Sequence, residues 1–327
     1  MYSGCSVLVT GGAGFLGTNF ILKFLGFGAR VFATYHRSEP QICDSKVSFL
    51  GVDLTNYEDC LRVVSGKDFV VMCAGVTGGA KLLESNQTAM AIQNLVINTF
   101  TLRAAFEAKV KRVLLISGGA VYPLCQGAWR ENDSTFSFYD KYFAEGWSKR
   151  FSEVLAEILQ RDDRYETEVV VIRPGNIYGP FDNFSLDKGH VIPALIEKCL
   201  SAKSFLDVWG SGDELRDFIY VDDLVKGALL ALRNLPAFEP LNLASGSVVS
   251  IREVAERIIK LSGRSLVIRL DASQPSMIPK QAFDVSKAQL LLGFDSTTSL
   301  EEGLLRTIRW RERRMSIAKV TTGNGYW

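Results

Sequence analysis

The stretch Ser6-Val7-Leu8-Val9-Thr10-Gly11-Gly12-Ala13-Gly14-Phe15-Leu16-Gly17 decides the fold. A short apolar run, Ser6–Thr10, enters a glycine-rich loop, and the helix-like segment Phe15–Gly26 opens directly behind it. Glycines at 11, 14 and 17 leave room for backbone N–H groups to reach a pyrophosphate, and a helix N-terminus favours its negative charge. A plain tight turn would show the same glycines. The context separates the two, because the loop stands at the first strand–helix junction of a long alternation. It predicts a dinucleotide site at Gly11, Gly14, Phe15, Leu16 and Gly17.

Outward from the loop, Arg30–Thr34, Phe69–Cys73, Arg112–Ser117 and Glu168–Arg173 have the Val/Ile/Leu-rich character of buried parallel strands. Asn56–Val64, Asn86–Ala108 and Lys141–Leu159 have helical length between them. Strand–helix alternation of this kind predicts an α/β fold, a doubly wound Rossmann-type parallel sheet. Beyond Arg173 the rhythm loosens. His190–Ala202 and Ile251–Leu261 are helix-like, Phe205–Gly210 is strand-like, and Asp217–Leu232 with Leu241–Ala244 returns to the first lobe. The expected organisation is a dinucleotide-binding domain of residues 1–173 plus about 217–245. A smaller C-terminal α/β substrate lobe takes 174–216 plus about 246–314, and 315–327 forms a loose, polar tail.

The chain of 327 residues is 47% hydrophobic and 22% charged, with a formal net charge of +1. That balance supports a sizeable core and gives no electrostatic footprint for nucleic acid. No apolar run reaches the ~18 residues of a membrane span, and Met1 leads straight into the first strand without a signal-like segment. Cys5, Cys43, Cys60, Cys73, Cys125 and Cys199 lack metal-ligand spacing, and only His36 and His190 accompany them. No metal site is expected, and reduced thiols fit the cytoplasm.

About 20 residues beyond the loop, an acidic residue ordinarily holds the adenosine ribose hydroxyls. Here the stretch is Ala33-Thr34-Tyr35-His36-Arg37, which has no acid. Arg37, helped by His36 or Thr34, suits a 2′-phosphate; the alternative is that His36 and Arg37 form a solvated loop. NADP is therefore the expected cofactor, ahead of NAD.

The order of motifs resembles the extended short-chain dehydrogenase/reductase family, the NAD-dependent epimerases and dehydratases. TGGAGFLG comes first, then Gly51-Val52-Asp53-Leu54, then Cys73-Ala74-Gly75-Val76-Thr77-Gly78-Gly79. SGGAVYP over Ser117–Pro123 and RPGNIYGP over Arg173–Pro180 follow. In the second half, Asp182-Asn183-Phe184, His190-Val191-Ile192-Pro193, Trp209-Gly210-Ser211-Gly212, Arg216-Asp217-Phe218 and Tyr220-Val221-Asp222-Asp223-Leu224 are similar to the GDP-fucose synthase group. The resemblance implies a nucleotide-linked hexose as substrate, GDP-linked and carrying a 4-keto group, to be epimerised and reduced. It implies cofactor contacts at Asp53, Leu54, Ala74, Gly75, Lys149 and Asn176. Asn176, Lys198, Trp209, Arg216 and Lys280 would meet the substrate, where cations and an aromatic face suit a nucleotide diphosphate.

The family's catalytic pattern breaks at three positions. A Tyr is expected four residues before Lys149, and Glu145 stands there. A Ser or Thr is expected four before Tyr122, and Gly118 stands there; a Cys is expected two before it, and Ala120 stands there. Phe100 replaces a family Asn. Lys149 and His190 remain. Four outcomes stay open. Glu145 acts as a base beside Lys149, with His190 on the opposite face of the sugar. Alternatively, Tyr142 or Tyr139 substitutes, although on a continuous helix Tyr142 lies two turns, ~10 Å, from Lys149. A third outcome is an irregular helix start that shifts this register; the fourth is a chain that binds cofactor and sugar nucleotide without turnover, with Glu145 only a salt-bridge partner of Lys149. Cys125 borders the sugar side and reads either as a stand-in acid or as an incidental thiol. Apolar residues on several faces of the helices at 86–108 and 141–159, among them Leu95, Leu102, Phe106, Phe151, Leu155 and Leu159, predict a homodimer.

Overall fold

Every residue of β1 (Ser6–Thr10) is buried, because the strand lies inside a sheet covered on both faces. It pairs in parallel with β2 (Arg30–Tyr35) on one side and with β4 (Phe69–Met72) on the other. The computed structural model describes residues 2–78, 87–274 and 277–323. Gly79 of the glycine-rich run, Asn86 at the expected helix start and the end of the expected tail lie outside them. With β3 (Val47–Gly51), β5 (Arg112–Ile116), β6 (Glu168–Pro174) and β10 (Leu241–Leu243), the sheet has seven strands in the order β10-β6-β5-β4-β1-β2-β3. All its pairings are parallel. β3 was not expected from the sequence. It is the edge strand, half-exposed, and so lacks the continuous apolar run that marked the others.

Alternate residues of each strand enter opposite cores. Val7, Val9 and Val71 meet Phe20 and Phe24 of α1 (Phe15–Gly26) and Leu224 and Leu232 of α6 (Val221–Asn234). Leu8, Val70 and Met72 meet α2 (Tyr57–Val64), α3 (Gln87–Glu107) and α4 (Phe143–Gln160). That is the doubly wound arrangement. Its crevice opens where the chain, after building β1-β2-β3 outward, returns to place β4 on the other side of β1.

A second, smaller layer joins β7 (Asn176–Tyr178), β9 (Leu215–Tyr220), β11 (Val248–Ser250) and β13 (Lys280–Gln281). β8 (Phe205–Trp209) pairs separately with β12 (Val267–Asp271). Their core is shared with α5 (Val191–Ser201), α7 (Ile251–Leu261) and α9 (Leu300–Gly323), while α8 (Ser286–Leu292) packs on the first core. Three expectations are corrected. α9 continues past Arg314, so the chain is helical to Gly323 rather than loose from 315. α4 begins at Phe143, not Lys141, behind a single 3₁₀ turn, Asp140–Tyr142. Leu102 and Phe106, expected on a partner-facing surface, are buried in the chain's own core, whereas Phe151 is exposed, as are Ile92, Trp147 and Ile158. Among the described residues no helix is long and apolar enough to cross a membrane.

Candidate active site

The loop after β1 is built as a cradle. Gly11 has φ +63°, and a Cβ there would sit 2.8 Å from the Ala74 backbone. At Gly17 a Cβ would fall 2.2 Å from the Gly11 carbonyl oxygen, so α1 can rest on the loop only without a side chain there. The Thr10 hydroxyl accepts hydrogen bonds from the amides of Cys73 and Ala74, each 3.1 Å, and ties the ends of β1 and β4 together. Gly14 caps α1 with no side-chain bond. Phe15 and Leu16 turn their side chains onto the core. Their backbone N–H groups, in the first helical turn, have no hydrogen-bond partner among the described residues. Behind Ala74 and Gly75, Asn94 clamps the loop: its Oδ1 accepts from the Val76 amide at 2.7 Å, and its Nδ2 donates to the Val76 carbonyl at 2.9 Å. The sequence reading missed Asn94, because a polar residue on a helix carries no local signal of such a partner.

At the outer end of the crevice, His36 and Arg37 follow β2, and Asp53 and Leu54 follow β3. Leu54 is buried, whereas the Asp53 carboxylate accepts from the Thr55 hydroxyl and amide. Those bonds hold its pKa below the usual range, with His36 and Arg37 adding to the effect against desolvation. His36 Nε2 lies 4.0 Å from Asp53. The acid missing from the β2 turn is thus supplied to the same region from β3, and it faces His36.

At the inner end, Lys149 Nζ donates to the Ser117 carbonyl at 2.9 Å. Gly118 is extended (φ 168°, ψ −177°), and a Cβ there would lie 3.4 Å from Lys149 Cε. Among the described residues no ion pair joins Lys149 to Glu145. Glu145, in the first turn of α4, instead places its charge near Tyr142 and His190. Burial first, then the Glu145 carboxylate, pushes the Tyr142 phenol up to about 12, against the pull of Arg216. Tyr142 packs on Tyr139, ring centroids 6.0 Å apart, beside the cluster of Tyr122, Trp129 and Phe283. Although the His190 ring is half-exposed, the protein packed around it disfavours its charged form; Asp182 and then Glu145 outweigh this and raise its pKa. The Nδ1 to Asp182 Oδ1 distance is 3.8 Å.

Beneath this floor lies a buried ion pair. Arg173 Nε and Nη2 donate to both oxygens of Glu153 at 2.9 and 2.8 Å, and Arg173 Nη1 donates to the Tyr122 hydroxyl at 3.1 Å. The Tyr122 hydroxyl donates to Asn242 Oδ1 at 2.6 Å. This network fixes α4 against β6.

On the substrate side the expected residues separate into three places. Asn176 Nδ2 donates to the Asp217 carbonyl at 3.1 Å and to Gln281 Oε1 at 3.0 Å. Gln281 is in register with Arg216, whose buried guanidinium feels Tyr142 and Tyr139. Lys198 stands over the Trp209 ring, 4.7 Å from its centroid, and donates to the Asp207 carbonyl at 3.1 Å. Lys280 donates to the Gln126 carbonyl at 2.7 Å, away from that pair. Cys125 shares its loop, with Sγ 3.6 Å from the Gly127 carbonyl oxygen, and packs on the aromatic cluster. Neither Gln281 nor Asp182 had a site role from sequence: Gln281 meets Asn176 only across the sheet of the second layer, and Asp182 meets His190 only because the segment between them doubles back.

Fold and site together define an enzyme of the extended short-chain dehydrogenase type. The chain belongs to the NAD dependent epimerase/dehydratase family, whose model matches residues 7–244. It is 31% identical to dTDP-4-dehydro-6-deoxy-D-allose reductase of a Streptomyces species, over 94% of this chain and 97% of that one. With probable GDP-L-fucose synthase 1 of Oryza sativa subsp. japonica it shares 28% identity, over 97% and 94% of the two chains. The solved structure of MoeE5 in complex with UDP-glucose and NAD superposes with a TM-score of 0.83 at 27% identity, covering 95% and 99%. The named relatives modify nucleotide sugars, and this chain is an enzyme of that nucleotide-sugar-modifying group.

Proposed function

We propose that the chain takes a nucleotide-diphosphate hexose that already carries a 4-keto group and epimerises it by proton transfer at the adjacent carbon, with reduction as the accompanying step. The observation that carries this is Glu145. A carboxylate occupies the phenol's position and is not ion-paired to Lys149, and His190 lies within its field. The keto group acidifies the neighbouring C–H. Glu145 takes that proton, and charge develops on the keto oxygen. The protonated His190 delivers a proton to the opposite face of the same carbon. The proton gained by Glu145 leaves to solvent, and His190, half-exposed, is recharged from solvent. Tyr142, pushed up to about 12, stays protonated at neutral pH and does not serve as the base.

Bound at the glycine cradle, a nicotinamide dinucleotide would supply the hydride. The cradle fits one: Gly11 and Gly17 admit no side chain, and Ala74 closes its floor. NADP is favoured over NAD because Asp53 is engaged by Thr55 and faces His36, leaving exposed Arg37 for a 2′-phosphate. Arg216, Asn176 and the Lys198–Trp209 pair suit the diphosphate and base. Likeness to GDP-L-fucose synthase supports GDP as the nucleotide. The exposed face of α3 and α4 around Ile92, Trp147, Phe151 and Ile158 suits a second copy, giving a homodimer. The cytoplasm suits free thiols at all six cysteines.

Gly118 and Ala120 favour a second reading, a sugar-nucleotide-binding protein without turnover. One experiment separates the two. With NADP and a 4-keto-6-deoxy sugar nucleotide in deuterated water, the enzyme incorporates deuterium at C3 or C5, whereas a silent binder incorporates none.

A further inference from the structure

Asp182 lies eight residues before His190 and outside every strand and helix, yet the fold buries it against that imidazole. The turn that carries it follows β7 through Gly179, Pro180 and Phe181, and Phe181 has φ +71°, a conformation few side-chain-bearing residues adopt. The segment then doubles back. The Gly189 amide donates to the Ser185 carbonyl at 2.7 Å, and a Cβ on Gly189 would fall 2.4 Å from the Asn183 carbonyl oxygen. This return brings His190 onto Asp182.

The Asp182 side chain is 2% exposed. Its Oδ1 accepts from the Asn183 amide at 2.7 Å, and its Oδ2 is buried with no hydrogen-bond partner among the described residues. A buried carboxylate oxygen left so costs stability unless a cation compensates it. The cation paired with Asp182 is His190, 3.8 Å away at Nδ1. His190 in turn is the N-cap of α5, makes no side-chain capping bond, and has no acidic residue in the first turn behind it. A helix N-terminus disfavours an imidazolium. The two carboxylates that face His190, Asp182 from its own segment and Glu145 from α4, oppose that effect.

We infer that Asp182 is the positioning residue of His190: its buried carboxylate holds Nδ1, turns Nε2 toward the cavity and keeps the ring as the proton donor opposite Glu145. This rests on the proposed acid–base epimerisation and adds the group that holds His190 in the acid's role. His190 starts as the acid and Glu145 as the base, so the proton is removed on the Glu145 side.

The chain has two histidines, so the test can be read on individual rings. Imidazole resonances of the labelled, substrate-free protein are titrated and assigned with His36→Asn. Asp182→Asn retains the acceptor for the Asn183 amide and removes the charge. The inference expects the His190 midpoint to move to lower pH, its Nδ1-protonated population to fall, and His36 to be unmoved. The alkaline limb of solvent exchange should move to lower pH with it. Asp182→Ser, which also offers an acceptor to that amide, gives the same result if Asn is not tolerated. A folded variant whose His190 midpoint and tautomer stay put overturns the inference. Because the titration needs no substrate, an inert chain that still shows the shift refutes the proposed function and leaves the Asp182 assignment standing.

Discussion

Restoring the family's phenol and hydroxyl should change the reaction class. In Gly118→Ser, the extended backbone at 118 accepts a side chain without strain. The added Cβ meets Lys149 Cε at 3.4 Å, Nζ at 3.5 Å and Cδ at 3.6 Å, ordinary contacts against a flexible side chain. The stability change should therefore stay within about 0.5 kcal/mol. The new hydroxyl comes within hydrogen-bonding reach of the position from which Lys149 Nζ donates to Ser117. Glu145→Tyr adds a phenol four residues before Lys149, on the same helix face. A positioned acid–base group contributes roughly 10²–10⁴-fold, about 2.7–5.4 kcal/mol in barrier height. The double variant should thus gain about a hundredfold or more in 4-keto reduction, followed by loss of the reduced nicotinamide absorbance, and should lose the C–H exchange carried by Glu145. A double variant that keeps exchange at the original rate, or gains no reduction while binding both ligands, refutes the assignment of position 145.

Three other outcomes follow from the same geometry. Glu153→Gln leaves Arg173 as a buried cation without its anion and should cost about 3–5 kcal/mol, seen as a lower midpoint in urea. Arg37→Ala should weaken NADP binding roughly tenfold, the loss of one charge-assisted contact, and leave NAD binding unchanged in calorimetry. Phe151→Glu should convert a dimer to a monomer by light scattering, whereas Phe106→Glu should unfold the chain, since Phe106 is buried in the chain's own core.

The glycine loop and the central strands were legible because each strand is buried on both faces, and its run of Val, Ile and Leu needs no partner to be recognised. β3 was not, since as an edge strand it mixes exposed and buried positions. The start of α4 was misread by two residues for a definite reason: its N-cap is Tyr142, which makes no side-chain capping bond, so no Ser, Thr, Asp or Asn marks the boundary. Tyr142 consequently leaves the helix face shared by Glu145 and Lys149. Lys198 and Trp209 do meet, because α5 and β8 are joined by a short turn. Lys280 and Arg216 share a sheet, but Gln281, not Lys280, is in register with Arg216. Asp182 with His190, across a turn that doubles back, and Asn94 with Val76, across a strand–helix loop, are pairings that only the folded chain creates.

The most direct measurement is deuterium incorporation next to the 4-keto group, compared among the unmodified chain, Glu145→Gln and His190→Asn, each with NADP and a 4-keto-6-deoxy sugar nucleotide. The account predicts exchange at C3 or C5 in the unmodified chain, its loss in Glu145→Gln, suppression of epimerisation in His190→Asn, and slow or absent oxidation of a plain GDP-hexose. Exchange that survives both substitutions, or ready oxidation of the plain sugar nucleotide without exchange, would contradict it.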